Sequence, residues 1–203
     1  MSTESPIARH RIDALIDGVY AIAITLLVLE LKLPPMAHGA TDADLQHALV
    51  ELLPKVLAWL LSFWVMALFW LGQQRVNHFA GAIDRLGVAI ELAQLALIGL
   101  LPFSTALMGE HGDRVSAAAV YSANLLGLAL LALARAAHLA ARPGLQSTTF
   151  TVAAKKNMLF RTATMVVLCG TAFGLAFVAP GWNMLALLPM ALVRSVARRF
   201  AGE

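Results

Sequence analysis

The chain has 203 residues, of which 60% are hydrophobic and 13% charged, with a net charge of +3 and a mean hydropathy of +0.76. That charged share is about half of what a soluble domain carries, too little to cover an apolar core with a polar skin. A water-soluble enzyme and a disordered chain are both excluded, and lipid is the expected solvent. The small net charge gives no case for nucleic acid as a partner. The lone Cys169 can form no internal disulfide and offers no metal-ligand spacing. No cofactor or bound metal is expected.

A bilayer core of about 30 Å takes roughly 20 apolar residues per helix. Six stretches are candidates, at about 12–33, 54–72, 86–108, 115–137, 158–179 and 182–198. The first carries Asp13 and Asp17 at its start and lacks the basic lead and cleavage site of a signal peptide, so it reads as a retained helix. It stops at Pro34-Pro35, which cannot continue a helix. Residues 36–53 are polar, with Thr41 placed as an N-cap and Asp44 three positions on, the spacing of a capping box. The second stretch holds Trp59, Trp64 and Trp70, which with Trp182 read as interface anchors or packing residues. The third holds Glu91 and Gln94, and the fourth Asn124. Residues 142–157 are rich in turn formers, and Pro180-Gly181 makes a tight hairpin before the last stretch. That last stretch contains Pro189 and reaches Arg194, Arg198 and Arg199, whose stems would have to snorkel. Alternation with period two is absent, so spanning strands are not expected. The fold class is all-α: residues 1–203 form one polytopic membrane domain of six transmembrane helices per subunit.

The basic residues set the expected topology. Twelve of the fifteen fall on one side: Arg9, Arg11, Arg75, Arg85, Arg135, Arg142, Lys155, Lys156, Arg161, Arg194, Arg198 and Arg199. Lys32, Lys55 and Arg114 fall on the other. Both termini are then cytoplasmic in a multi-pass protein of the cell (inner) membrane. Glu30, Asp42, Asp44, Glu51, Glu110 and Asp113 gather on the outer side. They read as solvated loop residues or as a cation-attracting rim.

The first helix differs from the rest. At 100° per residue, Leu15, Gly18, Ile22, Thr25, Leu26, Leu29 and Leu33 fall within about 60° of one line. Asp13, Asp17, Tyr20 and Ile24 gather opposite. Two readings of this stripe stay open on spacing alone. In one, the stripe packs on a neighbour or on lipid. In the other, several copies line a narrow pore. Ile22, Leu26 and Leu29 would then form a dry constriction, and Thr25 hydroxyls would replace part of an ion's water shell. One copy has too few polar groups to line a conduit, so the pore reading requires a homo-oligomer about a symmetry axis.

The stretch from Arg11 to Leu31 resembles the first helix of the transmembrane protein 175 family of potassium channels, whose signature is Arg-x-x-x-Phe-Ser-Asp followed by an apolar helix. The segment Trp70 to Asp84 and the run Leu100-Leu-Pro-Phe-Ser-Thr-Ala-Leu resemble the family as well. The resemblance implies a homotetramer of six-helix subunits with the first helix lining the pore. It implies a constriction at Ile22, with Thr25, Leu26 and Leu29 outward of it. Potassium, and with it other monovalent cations, would pass near Ile22 and Thr25, with membrane lipid around the tetramer. Arg11 and Asp17 match the charged ends of the signature and would hold the helix in place. Three departures stand out: Leu15-Ile16 for Phe-Ser, Gln73-Gln74 for a histidine pair, and Glu91 for an asparagine.

Glu91 is costly inside a membrane. It reads as a brace for the pore helix, paired with Arg11, Arg75 or His78, or as a protonated group that handles protons. Gln94 and Asn124 are expected to form hydrogen bonds between helices. No nucleophile, zinc or phosphate-loop motif is present, which argues against an enzyme. The alternative to a channel is a secondary transporter using Glu91 for proton coupling. Such folds usually carry broken helices at mid-membrane, and the first span has no such break.

Overall fold

A computed structural model describes residues 9–35 and 38–191. The described chain is all-helical, with no strand beyond one isolated bridge between Ala80 and Gln146. The helices are α1 (Arg9–Leu26), α2 (Asp42–Glu51), α3 (Leu53–Phe79), α4 (Arg85–His111), α5 (Val115–Ala141) and α6 (Val152–Leu175). Short 3-10 segments follow at Leu27–Glu30, Pro143–Leu145 and Asn183–Ala191. Among the described residues, five segments are long and apolar enough to cross a membrane: Arg9–Glu30 and the four helices α3 to α6.

Local chemistry sets most helix starts. Thr41 and Asp44 form the expected capping box: the Thr41 N–H and hydroxyl donate to the Asp44 carboxylate at 2.7 Å, and the Asp44 N–H donates back at 3.3 Å. This bond from Thr41 holds the exposed Asp44 carboxyl below its ordinary range. Asp84 caps α4 by accepting from the Gly87 N–H at 2.8 Å, and Thr151 caps α6 by accepting from the Ala154 N–H at 3.1 Å. α3 opens with Pro54 in its first turn, where a missing N–H costs nothing.

Three boundaries depart from the hydropathy reading. The first span turns 3-10 at Leu27 and is no longer helical from Leu31 onward, short of Leu33. The residue before a proline is disfavoured in the helical region, so the helix unwinds ahead of Pro34-Pro35. α3 continues to Phe79, well beyond Gly72, because Trp70, Gln74 and Asn77 find partners on α1. After the hairpin, where Gly181 takes φ +87°, the described part of the last stretch is a 3-10 helix with Pro189 inside it. A proline there removes one backbone donor and resists regular α geometry. Positions 192–198 of the expected sixth span, with Arg194, Arg198 and Arg199, lie outside the described residues.

The helices alternate in direction, so most of the described basic residues fall towards one end of the bundle, with Lys32, Lys55 and Arg114 towards the other. α4 packs along α5, α5 along α6, and α3 and α1 against α4. The core is Met66, Ile98, Leu101, Tyr121, Leu125 and Leu128, all fully buried. Small residues permit the close approach that lipid alone does not drive. A Cβ added at Gly109 would lie 3.3 Å from Lys55 Cα, where α4 meets the start of α3. Buried hydroxyls and amides pair inside the bundle: Thr105 donates to Ser62 at 2.9 Å, and Ser62 and Tyr121 share a proton bond at 3.0 Å. Asn124 donates to Ser104 at 3.1 Å, joining α5 to α4 as expected.

Candidate functional site

α1 divides into two faces. Ile12, Ile16, Tyr20, Ala23 and, in the 3-10 turn, Leu27 are buried against α3 and α4. Leu15, Gly18, Ile22, Thr25, Leu26 and Leu29 form an exposed ridge on the other side. Ile22 is 61% and Leu29 59% exposed, which is open for branched side chains in a folded protomer. Nothing lies within 4 Å of where a Gly18 Cβ would stand. Arg11 is also exposed and falls on the same line, three turns before Ile22, about 16 Å along the axis. It makes no hydrogen bond or ion pair among the described residues.

Thr25 is the one hydroxyl on the ridge. Its Oγ1 donates back to the Ile22 carbonyl at 2.8 Å, with the Ala21 carbonyl at 3.1 Å. The proton is therefore occupied by the helix, and the oxygen lone pairs are left on the exposed surface. A lone pair so placed can accept from water or coordinate a cation.

The carboxylates opposite the ridge hold α1 to α3. Asp17 accepts from Trp70 Nε1 at 2.8 Å and from Gln74 Nε2 at 2.6 Å. Asp13 accepts from Asn77 Nδ2 at 2.8 Å and lies 3.6 Å from Arg9 Nε. Arg9 in turn donates to the Asn77 carbonyl. Trp70, Gln74 and Asn77 recur at helical spacing, so one edge of α3 presents a ladder of donors to α1. Charge-assisted bonds of this kind are stronger than neutral ones and fix the rotation of α1, hence which side chains stand on the ridge.

A second anchor lies beneath. Glu91 Oε1 accepts from Arg135 Nε at 2.7 Å, and Oε2 accepts from Gln73 Nε2. The three side chains come from α4, α5 and α3. Glu91 and Arg135 are 1% and 2% exposed. The expected partners Arg11, Arg75 and His78 are thus replaced by Arg135 and Gln73. The α5 guanidinium reaches Glu91 instead, from a position 44 residues along the chain. Gln73 and Gln74, the two departures from the family's histidine pair, divide their work: Gln73 serves the inner anchor and Gln74 the outer one. Gln94 lies against Tyr20 on the α1–α4 contact. The Tyr20 hydroxyl on α1 is the polar group within its reach, although neither amide atom meets strict hydrogen-bond geometry among the described residues.

At the basic end of the bundle, His138 Nε2 lies 2.9 Å from both oxygens of Asp84, and Arg142 lies 3.9 Å from one of them. Partial burial alone would raise the Asp84 carboxyl. The Gly87 N–H, His138 and Arg142 outweigh it and hold the group below its usual range. Among the described residues no three His, Cys, Asp or Glu side chains converge as a metal site.

The model of the family described as "Endosomal/lysosomal potassium channel TMEM175" matches residues 11–102. A protein named potassium channel from Streptomyces collinus is 38% identical over 124 residues, 59% of each chain. Another of that name, from Chamaesiphon minutus, is 37% identical over 125 residues, 60% of this chain and 61% of its own. The matches thus span about three fifths of these curated relatives. The crystal structure of a lysosomal potassium-selective channel TMEM175 homolog from Chamaesiphon minutus superposes with a TM-score of 0.78 at 28% identity, covering 94% of this chain and 96% of that one. The chain is thus similar to the TMEM175 family in sequence over residues 11–102 and to a TMEM175 homolog in fold along nearly its whole length.

Proposed function

We propose that this chain is one subunit of a homotetrameric channel that conducts potassium down its gradient, through a pore lined by α1. Ile22 forms the hydrophobic constriction, and Thr25, Leu26 and Leu29 line the path outward of it. Asp17 and Glu91 brace the pore helix from behind. Arg11 stands on the ridge at its basic end, where a neighbouring subunit would meet it. The stretch from Asn183 onward supplies the sixth span. Both termini are cytoplasmic in a cell membrane, a reading that the bias of basic residues towards one side supports.

The observation that carries this reading is the exposed ridge. A helix fastened by two carboxylates on one side presents six ungated positions on the other, and one of them is a hydroxyl with free lone pairs. Symmetry mates meeting along that ridge would bury its leucines and isoleucine against each other and form a constriction so apolar that it dewets and blocks a hydrated ion until it widens. The relatives named potassium channel supply the ion. Glu91 supports the bracing role over proton coupling, since both of its oxygens are bound by side chains within the bundle.

The test is potassium flux into liposomes carrying wild-type protein or the Ile22→Asn variant. The expected result is flux from the wild type and a marked change in conductance or ion preference in the variant. Flux that saturates and follows a proton gradient through Glu91 would instead establish a transporter.

A further inference from the structure

Within α1 the ridge carries one charged side chain, Arg11, at its basic end. The other three charges of the helix are turned away from the ridge and engaged. Arg9 donates to the Asn77 carbonyl and lies beside Asp13, Asp13 accepts from the Asn77 amide, and Asp17 accepts from Trp70 and Gln74. Arg11 follows Arg9 by two positions, about 200° round the helix, so it stands on the opposite side from that cluster. It is exposed, and among the described residues no carboxylate pairs with it. From Arg11 to Ile22 the helix makes about three full turns, so the two share one line. The outer end of the same span carries Glu30 and Lys32, one charge of each sign. The ridge therefore holds a net charge at its basic end and none at the other.

Charge at a pore mouth sets how many ions stand ready to enter. Rings of carboxylate favour cations there, and rings of arginine or lysine disfavour them. Fourfold symmetry turns one Arg11 into four around the axis. We propose that Arg11 forms a ring of positive charge at the cytoplasmic mouth of the pore, which depletes potassium there and lets current pass more readily inward than outward. This rests on the reading that α1 lines a tetrameric pore with its N-terminal end in the cytoplasm. Four unit charges about 8 Å from the axis, in water and screened over about 8 Å, deplete potassium roughly threefold at physiological salt. At about 1 M salt the screening length is about 3 Å and the depletion nearly vanishes. A carboxylate supplied by the neighbouring subunit would instead cancel the ring and remove the dependence on salt.

Single-channel currents are recorded in inside-out patches from cells expressing the full chain, in symmetrical potassium at about 0.15 M and at about 1 M. Wild type is expected to show the smaller conductance in the outward direction at the lower salt and nearly equal conductances at the higher. Arg11→Gln should raise outward conductance roughly threefold at the lower salt and little at the higher. Arg11→Lys keeps the charge and should keep the rectification. Arg11→Cys allows the charge to be set after folding, since the native Cys169 is buried. A cationic thiol reagent applied to the cytoplasmic face should lower outward current, and an anionic one of similar size should raise it. Outward conductance of Arg11→Gln equal to wild type at the lower salt overturns the inference and leaves the pore reading intact. So does an equal response of Arg11→Cys to reagents of either sign. A current that Ile22→Asn leaves untouched overturns the pore reading, and this inference with it.

Discussion

Replacing Arg135 by methionine is the sharpest perturbation of the scaffold. The guanidinium is 2% exposed and its Nε donates to Glu91 at 2.7 Å. Methionine fills most of the volume but leaves the Glu91 carboxylate in the bundle with Gln73 as its one remaining donor. Removing one partner of a buried pair costs about 3–5 kcal/mol, because the surviving charge stays desolvated without its counter-ion. At about 2–4 °C per kcal/mol for a chain of this size, the melting midpoint should fall on the order of 10 °C. Glu91→Leu alone should cost a comparable amount, since it strands the arginine instead. The double variant Glu91→Leu/Arg135→Met removes both charges and should recover most of the loss, because apolar replacement of a whole buried pair is close to neutral. The assay is thermal unfolding of purified protein followed by tryptophan fluorescence in one detergent, with the four proteins forming a double-mutant cycle. Two results would refute the reasoning. One is a midpoint for Arg135→Met within about 2 °C of wild type. The other is a double variant whose loss equals the sum of the single losses, meaning the two charges do not sense each other.

Two further outcomes follow from the site. Asp17→Ala removes the acceptor for both Trp70 and Gln74. At about 1.5–3 kcal/mol for a bond to a charged group, discounted because Asp17 is exposed, stability should fall by about 1–3 kcal/mol, while Asp17→Asn, which still offers one oxygen, should lose less by the same thermal assay. The Asp84 carboxyl is held below its ordinary range by the Gly87 N–H, His138 and Arg142. A depressed folded value means this contribution is fully present above the unfolded carboxylate range and is lost as pH falls through the folded one. Thermal midpoints measured from neutral to strongly acid pH should therefore drop in wild type over that acid window, and drop less in Asp84→Asn; parallel curves would show that Asp84 carries no linked proton.

How much of this was legible in the sequence depends on the range of each interaction. Hydropathy locates the spanning helices because both lipid and a membrane-protein core select apolar side chains. It overlooks the last two turns of α3, where Gln74 and Asn77 look like the start of a loop but are held helical by Asp17 and Asp13. The Thr41–Asp44 box and the Gly181 turn are readable because each is settled within a few positions. The two faces of α1 are readable too, since helical periodicity alone separates Ile22 and Thr25 from Asp13 and Asp17. The partner of Glu91 is not. Arg135 lies 44 residues away on another helix, and the positive bias that gives topology assigns it simply to one membrane side. A buried arginine and a buried glutamate at matching depths in two adjacent spans are the signal that could have paired them. Which of Gln73 and Gln74 faces Glu91 and which faces Asp17 likewise depends on the rotation of α3.

The claim on which the rest depends is that ions pass along the ridge at Ile22. Ile22→Cys offers the direct measurement, since the native Cys169 is fully buried and supplies a silent background. Potassium flux is recorded from liposomes carrying the variant before and after a bulky, charged, thiol-specific reagent, then after reduction. Flux is expected to fall on modification and return on reduction, with wild type unaffected. Full modification of Ile22→Cys with no change in potassium flux would contradict a permeation path along this helix.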